Sequence, residues 1–295
     1  MSSQNEGPVI GTTVGHAVAQ DFIALASNLG SEAGIPPLPL GMPSHLSHAL
    51  AWSGADFIHE ANYIYLLTEA NLAEISTALA YFKGLELDGD LVSRENFPLP
   101  ALGVTLDSLS REVHDGRGFC VVRGIDPHKY TVEDLTLIYL GVQAYIADQR
   151  GRQDSRGNML DSRLVMNFGR AALLGSVNHP RKPTLPVLTE KQREALDAVE
   201  AAARATELHI ATRAGDMHFI NNLAVLHRRE GFVDGESAME KRHLVRLRCR
   251  STERGWRIPV PLQREWFDAF EREWDRIWHL EPMPDAFFPL RKYPN

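Results

Sequence analysis

Cysteine is scarce in this chain: Cys120 and Cys249 are the only two in 295 residues, each inside an apolar, strand-like run. A disulfide framework does not fit that usage, and a reducing compartment does. No apolar run approaches the roughly 20 residues that span a bilayer, so no membrane partner is expected. The first fifteen residues lack the basic start and apolar stretch of a secretory signal. Together these absences lead to the expectation of a soluble, cytoplasmic protein. Positive charge is short as well, with 31 Lys and Arg against 38 Asp and Glu and a net charge of −7. That balance argues against a nucleic-acid partner, which needs a basic footprint for phosphates. There is no G-x-S-x-G elbow and no glycine-rich phosphate loop. Internal repeats and low-complexity tracts are also absent.

What is present is ordinary globular composition, 44% hydrophobic and 23% charged, in a chain long enough for one large domain. Residues 1–50 are rich in Gly, Pro and Ser, as in Gly34-Ile35-Pro36-Pro37, and read as an irregular N-terminal arm. Residues 51–295 read as a single domain. Thr68 can cap a helix with Leu72, Ile75, Leu79 and Phe82 on one stripe and Gly84 as its stop. A second helix carries Leu106, Leu109 and Val113 and ends at Gly116. The third opens with a capping box, Thr131-Val132-Glu133-Asp134, and buries Leu135, Ile138, Val142 and Ile146. Thr189-Glu190-Lys191-Gln192 opens a fourth, through Leu196, Val199 and Ala203. A last helix, 262–278, aligns Trp266, Phe270, Trp274 and Ile277 in a stripe suited to the core or to a homodimer contact.

Strand-like runs fall at 119–123, 163–168, 208–211, 217–220, 223–227 and 243–249. Helices cluster early and strands late, so the pattern predicts an α+β fold with helices against a mainly antiparallel sheet.

The chemistry concentrates near the C-terminal end. His227 closes an apolar run after Leu223 and Val225, where a satisfied core histidine is the plain alternative to a metal ligand. Fifteen residues on, Arg242 opens a strand-like run. Alternation there puts His243, Val245, Leu247 and Cys249 on an apolar face suited to packing under helices. The other face carries Arg242, Leu244, Arg246, Arg248 and Arg250. Buried guanidinium groups are costly unless anions meet them, so this face is either solvated or meets carboxylates. A histidine plus a cationic clamp suits a metal ion holding an anionic co-substrate. His209, His218 and His227 recur every nine residues, but that is no zinc-ligand spacing.

Gly215-Asp216-x-x-Phe219-x-Asn221-Asn222, then Leu226-His227-x-Arg229-x-x-Phe232, then Arg242-His243-Leu244-x-Arg246 resembles the end of the taurine dioxygenase-like (clavaminate synthase-like) iron(II)/2-oxoglutarate oxygenases. Gly118-Phe119-Cys120-Val121-Val122-Arg123-Gly124 is similar to an early strand of that family, and Asn167-Phe168-Gly169-Arg170 to its fungal-type members. The resemblance implies a double-stranded β-helix, or jelly roll, flanked by helices. It implies Fe(II) and 2-oxoglutarate as cofactors and a small-molecule substrate, with specialised metabolism as the setting. His227 would be the distal iron ligand and Arg242 would bind the far carboxylate of 2-oxoglutarate. Arg246 would hold that co-substrate or an anionic substrate.

One departure stands out. The family's iron triad needs His-x-Asp or His-x-Glu upstream of the distal histidine. None of the eleven histidines up to His243 has that spacing, and the twelfth, in His279-Leu280-Glu281, lies beyond His227. Family members carry the first ligands and several strands where this chain has only Gln149 to Ser162. The expectation is a segment absent near Leu160–Asp161, leaving the core incomplete between residues 150 and 165. Two functions stay open: an oxygenase, or a non-catalytic family member that binds or interacts.

Overall fold

A computed structural model describes residues 9–13, 47–151, 170–175, 180–181, 183–229, 244–258, 260 and 263–271. Its framework is helical first. Helix α1 spans Glu69–Gly84, α2 Leu102–His114 and α3 Val132–Ile146. Thr68 caps α1 by accepting the Asn71 N–H, while the Asn71 side chain accepts the Thr68 N–H, satisfying two orphan donors at once. Gly84 is the last helical residue rather than the stop. The reversal falls at Glu86, whose φ of 54° lies in the left-handed region.

Helix α2 has no side-chain cap of its own. The Glu74 carboxylate, on α1, accepts the N–H groups of Ala101 at 2.7 Å and Leu102 at 3.0 Å. A negative charge at a helix N-terminus is favourable on two counts, orphan donors and dipole. At α3, Thr131 accepts the Asp134 N–H as its spacing predicts. The Asp134 carboxylate, however, is bonded to Lys83 of α1 at 2.6 Å, which ties the two helices instead.

The predicted stripes are buried: Ile75, Leu79 and Phe82 from α1, Leu106 and Val113 from α2, Ile138, Val142 and Ile146 from α3. Phe97 is fully buried and its ring lies on the bare backbone of Gly141, where an added Cβ would fall 2.4 Å from the ring.

Three small sheets complete the fold. Strands β2 (Ile64–Leu66), β3 (Phe119–Arg123) and β6 (Met217–Ile220) form the inner sheet in the order β2-β3-β6, with β2 parallel to β3 and β6 antiparallel. Strands β5 (Leu208–Ala211), β1 (Val9–Thr13) and β7 (Leu226–Arg229) form the outer sheet in the order β5-β1-β7, antiparallel throughout. A ribbon pairs β4 (Gln149–Gly151) with β8 (Arg248–Arg250).

All five residues of β3 are buried, because both its faces are covered. Cys120 and Val122 pack with the helices, whereas Phe119 and Val121 pack with Trp52, Tyr63, Leu208, Ile210 and Val225. The layers are therefore helices, inner sheet, outer sheet. Helix α4 (Arg170–Leu174) and helix α5 (Glu190–Thr206) lie in the connection before β5. Thr189 and Gln192 cap α5 reciprocally. Helix α6 (Gln263–Phe270) rests on the ribbon, with the Phe270 ring against Gly151 and the Arg250 guanidinium over Trp266. Those two aromatic residues are thus used within the chain. Trp274 and Ile277 of the predicted stripe lie outside the described residues.

The α+β class holds, and several expectations change. The N-terminal arm is not irregular throughout, since Val9–Thr13 is the middle strand of the outer sheet. Strands β2 and β4 carry no apolar alternation of useful length and were not predicted. The run expected at 223–227 begins at Leu226, because Asn221 makes a turn first. Its side chain accepts the Leu223 N–H and its carbonyl accepts those of Ala224 and Val225. The run at 163–168 and the junction Leu160–Asp161 lie outside the described residues. Eight strands occur among those described, but in three small sheets rather than a closed jelly roll.

Candidate functional site

His227 sits in β7, opposite Thr12 of β1, and is half-buried. Burial first, then the guanidinium groups of Arg246 and Arg248, push its imidazole below the usual value. A histidine shifted that way is uncharged at neutral pH, the form that can ligate a metal or accept a hydrogen bond.

The arginine-bearing segment is shaped differently from the expectation. Only Arg248–Arg250 is strand, and residues 244–247 carry no regular structure. Val245 and Cys249, assigned to an apolar face under the helices, are exposed, whereas Leu247 packs against the helical core; His243 of that face lies outside the described residues. Arg248 and Arg250 are the half-buried side of β8. The reason is the neighbour: β8 pairs with the short polar strand β4, on which α6 packs, and the Arg250 guanidinium lies over Trp266 of α6. Tyr139 of α3 is hydrogen-bonded by the Leu247 backbone, and burial pushes its phenol far above the usual range. This anchor fixes the segment that brings Arg246 and Arg248 toward His227. Arg246 is exposed, as a residue receiving a soluble anion should be. Arg242 lies outside the described residues. Arg248 joins the site although it was not singled out beforehand; its place on the arginine face of the run was the available signal.

Among the described residues, the carboxylates nearest in sequence to His227 are committed elsewhere. Asp216, 1% exposed, accepts Nε and Nη2 of Arg123 at 2.9 and 2.8 Å. Glu207 accepts Nε and Nη2 of Arg228 at 2.9 and 2.7 Å and lies 2.7 Å from His209 Nε2. The three histidines at nine-residue spacing do not converge. His209 pairs with Gly11 and His227 with Thr12, consecutive residues of β1, so they leave opposite faces of the outer sheet. His218 belongs to the inner sheet. Among the described residues no three His, Cys, Asp or Glu side chains come together to hold a metal ion. They offer iron a single donor, His227, and do not fit a complete 2-His-1-carboxylate centre. No catalytic step through iron follows from them.

The two motifs noted in the sequence prove to be each other's partners. The Arg-Gly end of β3 and the Gly215-Asp216 turn meet in the Arg123–Asp216 pair. Asp216 also accepts the Arg213 N–H at 2.8 Å, which closes its own turn. Gly215, at φ +82°, has no room for a side chain, since a Cβ would lie 1.9 Å from the Ile125 carbonyl oxygen. Asn221 of the same motif makes the turn after β6.

The taurine catabolism dioxygenase TauD, TfdA family matches residues 162–248, which takes in β5 to β7, ends at the first residue of β8 and begins next to Leu160–Asp161. The taurine hydroxylase-like protein SAT17 of the fungus Stachybotrys chartarum is 24% identical, with 81% of this chain and 89% of the relative aligned. That alignment runs over 343 residues, longer than the 295 of this chain, so the relative has residues with no counterpart here. A crystal structure of the non-heme iron oxygenase OrfP in complex with Fe gives a TM-score of 0.35 at 14% identity, covering 60% of this chain and 91% of that one. The family match over residues 162–248 and the fungal relative point one way: this chain is similar to the TauD-like dioxygenases.

Proposed function

We propose that the protein is an iron(II)/2-oxoglutarate-type oxygenase that oxidises a small, anionic molecule in specialised metabolism. The observation that carries this reading is the uncharged, desolvated His227 within electrostatic reach of an arginine-bearing segment. An imidazole of that kind serves as a metal ligand, and guanidinium groups beside it serve as a clamp for carboxylates. In this reading His227 is one metal donor, Arg242 binds the far carboxylate of 2-oxoglutarate, and Arg246 holds the co-substrate or an acidic substrate. Iron, if held there, would supply oxygen activation coupled to decarboxylation of 2-oxoglutarate. The protein is taken to act in the cytoplasm.

The test is succinate release from 2-oxoglutarate by the full chain, with and without Fe(II). His227→Ala should abolish iron-dependent release. Arg242→Ala should chiefly raise the 2-oxoglutarate concentration needed. Turnover that survives His227→Ala sinks the assignment.

A second reading rests on the committed carboxylates of Asp216 and Glu207. The chain then acts as a non-catalytic family member that binds an anionic small molecule. Stoichiometric 2-oxoglutarate binding that is indifferent to Fe(II), without succinate release, distinguishes it from the first.

A further inference from the structure

We propose that Arg123 and Asp216 are positioning residues for the His227 site, acting as a latch between the two sheets. The inference rests on the reading of His227 given above. The chain leaves the outer sheet after β5, runs through β6 in the inner sheet, and returns to the outer sheet as β7 with His227. The first crossing is held by one guanidinium at the end of β3, the middle strand of the inner sheet. Arg123 Nε and Nη2 bind the Asp216 carboxylate at the start of β6, and Nη2 also donates to the carbonyl of Ala211, the last residue of β5, at 2.8 Å. A third arm, Nη1, reaches Glu60 at 3.2 Å. At the return crossing the Asn221 N–H donates to the Gly118 carbonyl at 2.8 Å.

Stability gives little reason to keep such a pair. Its side chains are 7% and 1% exposed, and a buried ion pair is often no better than apolar residues of equal volume. Geometry gives a reason. A planar fork that grips the end of β5 and the start of β6 together fixes how Leu208 and Ile210 seat on Phe119 and Val121. That seating sets the height of the outer sheet, and with it the place of His227 against residues 246–248.

The decisive variant replaces both partners with apolar residues, Arg123→Met with Asp216→Leu, leaving no unpaired charge. Three readouts apply to the full chain: the urea unfolding midpoint, the Hε1 NMR resonance of His227 assigned with His227→Gln, and 2-oxoglutarate affinity by calorimetry. A latch predicts cooperative unfolding near the wild-type midpoint, a displaced His227 resonance, and affinity weaker by roughly tenfold to a hundredfold. A folded double variant with resonance and affinity unchanged overturns it. If the double variant does not fold, Arg123→Lys decides, since it keeps the charge and loses the fork: an unmoved resonance there overturns the proposal. Should the wild type bind no 2-oxoglutarate, the functional reading fails while the resonance still tests the latch.

Discussion

The two faces of β3 lead into regions built on different terms. On the helical side, Cys120 and Val122 meet Ile75, Phe82, Leu102, Leu106, Ile138 and Val142, all at or below 2% exposure. On the other side, Phe119 and Val121 meet an outer sheet only one strand layer thick. That sheet buries Leu208 and Ile210 on its inner face and turns Glu207, His209 and Arg228 to the other. Dry packing on three helices stabilises the first region. The second is held by a few apolar contacts and by ion pairs, and it carries the candidate site. Stability and chemistry are thus divided between the two faces of a single strand.

Mutations can test that division, beginning with the largest expected loss. Phe97→Ala should cost about 3–5 kcal/mol of unfolding free energy, because the ring fills the space over Gly141 and nothing else can. Urea denaturation measures it, and ligand affinity of the folded fraction should be unchanged. A change in affinity as large as the change in stability would break the comparison. Ile210→Val, between the sheets, should cost only about 0.5–1.5 kcal/mol. It should also weaken 2-oxoglutarate binding, since it loosens the seat of the sheet that bears His227.

The smallest effect concerns pH. The hydrogen bond from Lys83 holds the Asp134 carboxyl below its usual value. A depressed carboxyl contributes stability above its unfolded pKa, and this is lost as pH falls through the folded value. Asp134→Asn should therefore flatten the decline in unfolding midpoint below about pH 4 and leave neutral-pH ligand binding alone. An unaltered acid limb means that the pair between α1 and α3 adds nothing measurable, as exposed pairs often do not.

Legibility in the sequence followed the same division. The stripes of α1, α2 and α3 and the caps at Thr68, Thr131 and Thr189 could be read directly, because helix period and capping depend on residues three or four apart. Strands β1, β2 and β4 could not, being three to five residues long and paired with partners far along the chain. The arginine face of 242–250 was read as one long strand. The structure shortens it to three residues and exposes Cys249, since β4 offers only a short partner.

Local order, then, was determined by the sequence itself: where helices start and which side they bury, the scarcity of disulfide and membrane chemistry, and the motif that singles out His227. Tertiary structure alone decided that Arg123 closes on Asp216 93 residues away. It alone decided that His209 and His227 leave opposite faces of one sheet, and that burial and the charges of Arg246 and Arg248 hold the His227 imidazole below its usual value. The physical reason is range. Backbone propensity and capping act within a turn, whereas the partner of a buried charge is whatever the packing of distant strands brings to it.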